Sequence, residues 1–120
     1  MRRLTVLYDQ QCALCRRARV WLGAQAQIVR LEFVPAGSLE AQRLYPDLDH
    51  AATRKDLTVI GDGGEVYQGA KAWLMCLWAL RDHREMALRW NTPGRMEVAR
   101  RFVAWVSNHR TGLSHLIGFQ

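Results

Sequence analysis

Hydrophobic and polar positions fall into short blocks, and each block carries the period of one element. Leu4-Thr5-Val6-Leu7-Tyr8 is almost unbroken apolar chain, the pattern of a buried strand, and the polar Asp9-Gln10-Gln11 turns out of it. Arg16 to Leu22 reads as helix, broken at Gly23-Ala24-Gln25. Ile28 to Val34 alternates in part and is rich in β-branched residues, which predicts a second strand ended by Pro35-Ala36-Gly37. Ser38 suits the N-cap of a short helix over Leu39 to Tyr45, stopped by Pro46. Asp47 to Asp56 is polar, a loop with room for one helical turn.

Leu57 to Ile60 and Glu65 to Tyr67 flank Gly61-Asp62-Gly63-Gly64, the signature of a hairpin. After Gly69 a single helix is predicted over Ala70 to Arg84. It is apolar on nearly every side from Ala72 to Leu80, so more than one side is buried, and Arg81 to Arg84 mark its return to solvent. Asn91-Thr92-Pro93-Gly94 is a break. A last helix from about Arg95 to His109 sets Met96, Ala99, Phe102, Val103 and Val106 on one face. The tail from Thr111, with Leu113, Leu116 and Ile117, reads as a separate short helix.

The order β-α-β-α-β-β-α-α predicts an α/β fold. The first βαβ unit implies parallel strands, the hairpin adds antiparallel ones, and a four-stranded mixed sheet with helices on both faces follows. The 120 residues suit one domain, and with 49% of them apolar a core needs no staple. Met1-Arg2-Arg3 leads straight into the first strand, without the apolar region of a signal peptide, and the longest apolar run is too short for a bilayer. The expectation is a cytoplasmic chain with no membrane partner. Net charge is +6, from 17 Lys and Arg against 11 Asp and Glu. The arginines are scattered and no aromatic-basic motif accompanies them, so a solvated basic surface is expected rather than a nucleic-acid site.

Chemistry enters at Cys12 and Cys15, where the first strand hands over to the first helix. A spacing of three puts both on one side of that helix. Unsatisfied N–H groups and the helix dipole there favour a thiolate, the reactive form, and Arg16 and Arg17 lie one turn on. Cys12 is the candidate nucleophile. Cys15 is the candidate resolving thiol, expected to be the more buried. A CxxC after the first strand of a βαβ unit in a reducing compartment reads as a thioredoxin-like redox motif. Asp9 has two readings: a proton acceptor for Cys15, or a turn residue bonding nearby backbone N–H groups. A structural zinc site would need four ligands, and Cys76, His50, His83, His109 and His115 stand singly, so neither metal nor cofactor is expected. Cys76 reads as core. The competing function is a binding module whose cysteines are incidental.

Leu7-Tyr8-Asp9-Gln10-Gln11-Cys12-Ala13-Leu14-Cys15-Arg16-Arg17 resembles the signature of the DCC family of thiol-disulfide oxidoreductase-like proteins, named for an Asp followed by two Cys, here Asp9, Cys12 and Cys15. Gly64 to Ala72 and Phe102 to Arg110 are similar to two further blocks of that family. The resemblance implies a thioredoxin-like fold and dithiol chemistry. The element order adds a C-terminal helix to that fold, and the expected partners are a protein or small-molecule disulfide and a thioredoxin- or glutathione-type reductant. Two departures stand out. Gln10 occupies a position where the family usually has Gly, and Asp56-Leu57-Thr58 lacks the cis-Pro with which thioredoxins dock an extended substrate. The second predicts a narrow substrate range.

Overall fold

The elements are β1 (Arg3–Tyr8), α1 (Ala13–Ala24), β2 (Arg30–Pro35), α2 (Leu39–Leu44), α3 (His50–Lys55), β3 (Thr58–Gly61), β4 (Val66–Gln68), α4 (Ala70–Trp78), α5 (Arg84–Trp90) and α6 (Pro93–Ile117). They are seen in a computed structural model that describes the backbone of residues 1–117 and the side chains of residues 1–106, 108 and 109. β1 pairs in parallel with β2, Tyr8 opposite Pro35, and antiparallel with β3, Leu7 opposite Thr58. β4 completes the hairpin with β3. The order β2-β1-β3-β4 is the four-stranded mixed sheet expected, with helices packed against it as in a thioredoxin-like fold.

The interior place of β1 accounts for its composition. A strand paired on both edges and covered on both faces has no solvent side, and Leu4, Thr5, Val6 and Leu7 are all buried. Alternation then sorts them between two cores. Leu4 and Val6 pack with Leu31, Val59, Leu22 of α1, Ala72 and Cys76 of α4, and Leu80. Leu7 packs with Val34, Ile60 and Ala41 of α2 on the other side. Each fully buried Leu or Val contributes roughly 1.5–3 kcal/mol, so the sheet is anchored from both faces.

Local signals placed most of the ends. Ser38 Oγ accepts the Ala41 N–H at 3.1 Å and starts α2. Asp49 Oδ1 accepts the N–H groups of Ala51 and Ala52 and starts α3, a full short helix where a polar loop with one possible turn was expected. Gly69, at φ 65°, turns the chain from β4 into α4 in a conformation that a side chain would strain.

Three expectations are corrected. The helix predicted over Ala70 to Arg84 is two helices. The Ala79 carbonyl accepts from Ile28 and Val29, Arg81 N–H donates to the Ala26 carbonyl, and Leu80 bridges to Gln27. Residues 79–81 thus spend their backbone on the chain entering β2, which also delays that strand to Arg30. Arg84 closes the break: its Nε donates to the Trp78 carbonyl at 2.9 Å and its guanidinium lies 4.3 Å from the Trp78 ring centre. Second, α6 is longer than predicted and runs unbroken through Ile117, so the tail is no separate helix. The side chains of Leu113, Leu116 and Ile117 lie outside the described residues. Third, Phe102 points outward, 64% exposed, while Met96 is buried and Ala99, Val103 and Val106 are partly so. Six residues past Met96 is about 240° around the helix, and Phe102 shares its stripe with the exposed Val98 and Trp105 instead. α6 packs on α1 and α4. Among the described residues no helix is long and apolar enough to cross a membrane.

Candidate active site

The cysteine pair lies where β1 ends. The chain leaves Tyr8, turns through Asp9-Gln10-Gln11, and enters α1 with Cys12 as its N-cap, at φ −96° and ψ 118°. Cys12 Sγ accepts the Cys15 N–H at 3.3 Å, and the Cys12 carbonyl accepts the Arg16 N–H at 3.0 Å. The sulfur thus holds the place that a Ser or Asp oxygen holds in an ordinary helix cap. An N–H aimed at sulfur favours the thiolate, as does the positive end of the helix. Cys12 and Cys15 approach within 2.9 Å, so the structure brings together the two residues that the sequence paired.

Their burial is the reverse of the expectation. Cys12 is 8% exposed, whereas Cys15 is partly exposed. The Cys12 side chain folds back over the first turn of α1 to reach the Cys15 N–H.

Asp9 is at the turn. Its Oδ1 accepts the Gln11 N–H at 3.0 Å and its carbonyl accepts the Cys12 N–H at 3.2 Å. That is the geometry of the turn-residue reading. Gln10 needs no special backbone, because among the described residues no non-glycine residue has positive φ. Its carbonyl accepts from Arg16 Nη1 at 2.7 Å. The sequence flagged Arg16 for its charge alone and missed this bond. The signal was its place one helical turn past the capping Cys12, within reach back to the turn. Arg19 stacks between Tyr8 and Phe33, 5.6 and 5.0 Å from their ring centres.

The register also places Asp56-Leu57-Thr58 at this end of the sheet, since Thr58 lies opposite Leu7. The Leu57 carbonyl accepts the Gly69 N–H at 3.0 Å. Thr58 is fully buried; its Oγ1 donates to the Asp56 carbonyl at 3.2 Å and accepts from Gln68 Nε2 at 3.3 Å.

The remaining candidates stay apart. His50 Nε2 contacts the Tyr45 carbonyl at 2.9 Å, the His83 ring lies against Trp21, and His109 Nδ1 contacts the Trp105 carbonyl at 2.7 Å. The His115 side chain is outside the described residues. Among the described residues no three His, Cys, Asp or Glu side chains gather as metal ligands. Cys76 is fully buried in the core, and burial pushes its thiol up to about 12.

A family model described as DCC1-like thiol-disulfide oxidoreductase matches residues 6–116. No curated protein and no solved structure matches the chain.

Proposed function

The chain belongs to the DCC1-like thiol-disulfide oxidoreductase family, and from that membership we propose that Cys12 and Cys15 cycle between dithiol and disulfide against a partner's disulfide. The observation that carries the proposal is the capping geometry of Cys12, its sulfur on the Cys15 N–H at 3.3 Å. The Cys12 thiolate attacks one sulfur of the substrate disulfide. A Cys12–substrate bond forms, the substrate S–S bond breaks, and the departing thiolate takes a proton. Cys15, losing its own proton, then attacks Cys12 sulfur and releases the second substrate thiol. The substrate gains two electrons and two protons; the chain keeps a Cys12–Cys15 disulfide. A thioredoxin- or glutathione-type dithiol or thiol reverses the last step and restores the pair, chemistry suited to a reducing compartment such as the cytoplasm. No metal, cofactor or nucleic acid takes part.

Two effects compete at Cys12. Burial raises a thiol's pKa, while the first-turn N–H and the helix end lower it. The Cys15 N–H contacts the sulfur directly at 3.3 Å, so Cys12 is expected to titrate below the ordinary thiol value of about 8.5. Alkylation rates against pH test this. The Cys15→Ser chain, which keeps Cys12, should show its midpoint below that value; a midpoint at or above it would remove the basis of the proposal.

The substrate range is narrow on this reading. The Leu57 carbonyl, at the sheet end nearest the pair, is already taken by Gly69, and Thr58 is turned inward. Little backbone is left there for an extended peptide to pair with. Insulin reduction should therefore be at least about tenfold slower than by a true thioredoxin under the same reductant, and nearly linear in insulin concentration, as weak binding requires. Matching rates would sink the narrow-range reading and leave the dithiol chemistry standing.

A further inference from the structure

The peptide unit joining Gln10 to Gln11 is held at both ends. Its N–H, on Gln11, donates to Asp9 Oδ1 at 3.0 Å, and its carbonyl, on Gln10, accepts from Arg16 Nη1 at 2.7 Å. This is the central peptide of the turn that the Cys12 N–H closes onto the Asp9 carbonyl. In a β-turn the central peptide is the part that rotates between type I and type II, and type II requires positive φ at the third residue. Gln11 is that residue, and among the described residues no non-glycine residue has positive φ. A carboxylate on the N–H and a guanidinium on the carbonyl give two charge-assisted bonds aligned with the peptide's own dipole.

We infer that Asp9 and Arg16 are positioning residues that clamp the Gln10–Gln11 peptide from opposite ends and so hold Cys12 as the cap of α1, its sulfur on the Cys15 N–H. The functional consequence rests on the dithiol reading above, but the clamp does not. It assigns Asp9 a job that needs an acceptor oxygen rather than a titrating carboxyl. It assigns Arg16 a job that charge alone does not fill.

Charge and clamp make different predictions. By charge alone, removing Asp9 favours the Cys12 thiolate and removing Arg16 disfavours it, so the two changes oppose each other. The clamp makes both changes disfavour it. The test is Cys12 alkylation by iodoacetamide against pH in the Cys15→Ser background. Asp9→Asn and Asp9→Ala remove the same charge, but only Asn keeps the acceptor. Asp9→Ala is expected to react about three- to tenfold more slowly at pH 7 than Asp9→Asn, the scale of one lost hydrogen bond, with its profile displaced to higher pH. Arg16→Met is expected to move the same way. Because both act on one peptide, the double variant should lose less than the product of the single losses. Coincident Asn and Ala profiles, opposite shifts at the two positions, or multiplying losses would each overturn the clamp. Hydrogen exchange at the Gln11 amide stands if Asp9→Ala does not fold: Arg16→Met alone should speed it, and unchanged exchange overturns the inference. Neither readout uses a disulfide substrate, so a chain inactive as an oxidoreductase still decides the question.

Discussion

A Cys12→Ser chain should reduce no disulfide above the uncatalysed background, a loss of at least about a thousandfold, because serine at neutral pH supplies no comparable nucleophile. The Cys15→Ser chain should fail differently. It keeps the first step and loses the second, so it should stall as a mixed disulfide on Cys12. That species is visible as a gain in mass reversed by dithiothreitol, and when the chain is purified from cells it carries the physiological substrate. The pair of variants also tests the order of attack, which matters because Cys15 is the more exposed of the two. If Cys12→Ser traps the partner and Cys15→Ser does not, the roles are exchanged. If neither substitution changes exchange with any disulfide, the cysteines are incidental and the chain is a binding module.

Raising the pH above about 9 should destabilise the protein through Cys76. Its thiol ordinarily loses its proton near 9.0, but burial in the native core pushes that value up to about 12. Between these values the unfolded chain has released the proton and the folded chain has kept it. The native state then binds more protons, and stability falls as pH rises. The slope is about 1.4 kcal/mol per pH unit, so two units cost about 3 kcal/mol, a large share of a small protein's stability. Below pH 9 this group contributes no pH dependence. Urea unfolding of the native chain and of Cys76→Ala, from pH 8 to 11, isolates the effect, because the other titrating groups are common to both. Cys76→Ala should differ by a nearly constant offset below pH 9 and then converge on or overtake the native chain. Parallel curves across the whole range would show that Cys76 ionises as readily in the folded protein as in the unfolded one. The same burial should keep Cys76 from alkylating agents until the chain unfolds.

Position and residue type along the chain were enough for the frame. The apolar run at Leu4 to Tyr8 marked the central strand, Ser38 the start of α2, and the Gly61 to Gly64 turn the hairpin, because each depends on neighbours a few residues away. The place of Cys12 and Cys15 at the start of α1 was legible for the same reason. What the tertiary structure decided depends on groups distant in sequence. Nothing local ends a helix at Trp78. It ends there because residues 79–81 bond to residues 26–29, and those backbone bonds outweigh the modest preference of Arg81-Asp82-His83 for continuing it. Phe102 faces solvent because packing on α1 and α4 selected the stripe of Met96, and a helix that long carries two apolar stripes of which this packing buries one. Which of the two thiols is the more buried is set by the packing around the start of α1, not by the spacing of the two cysteines.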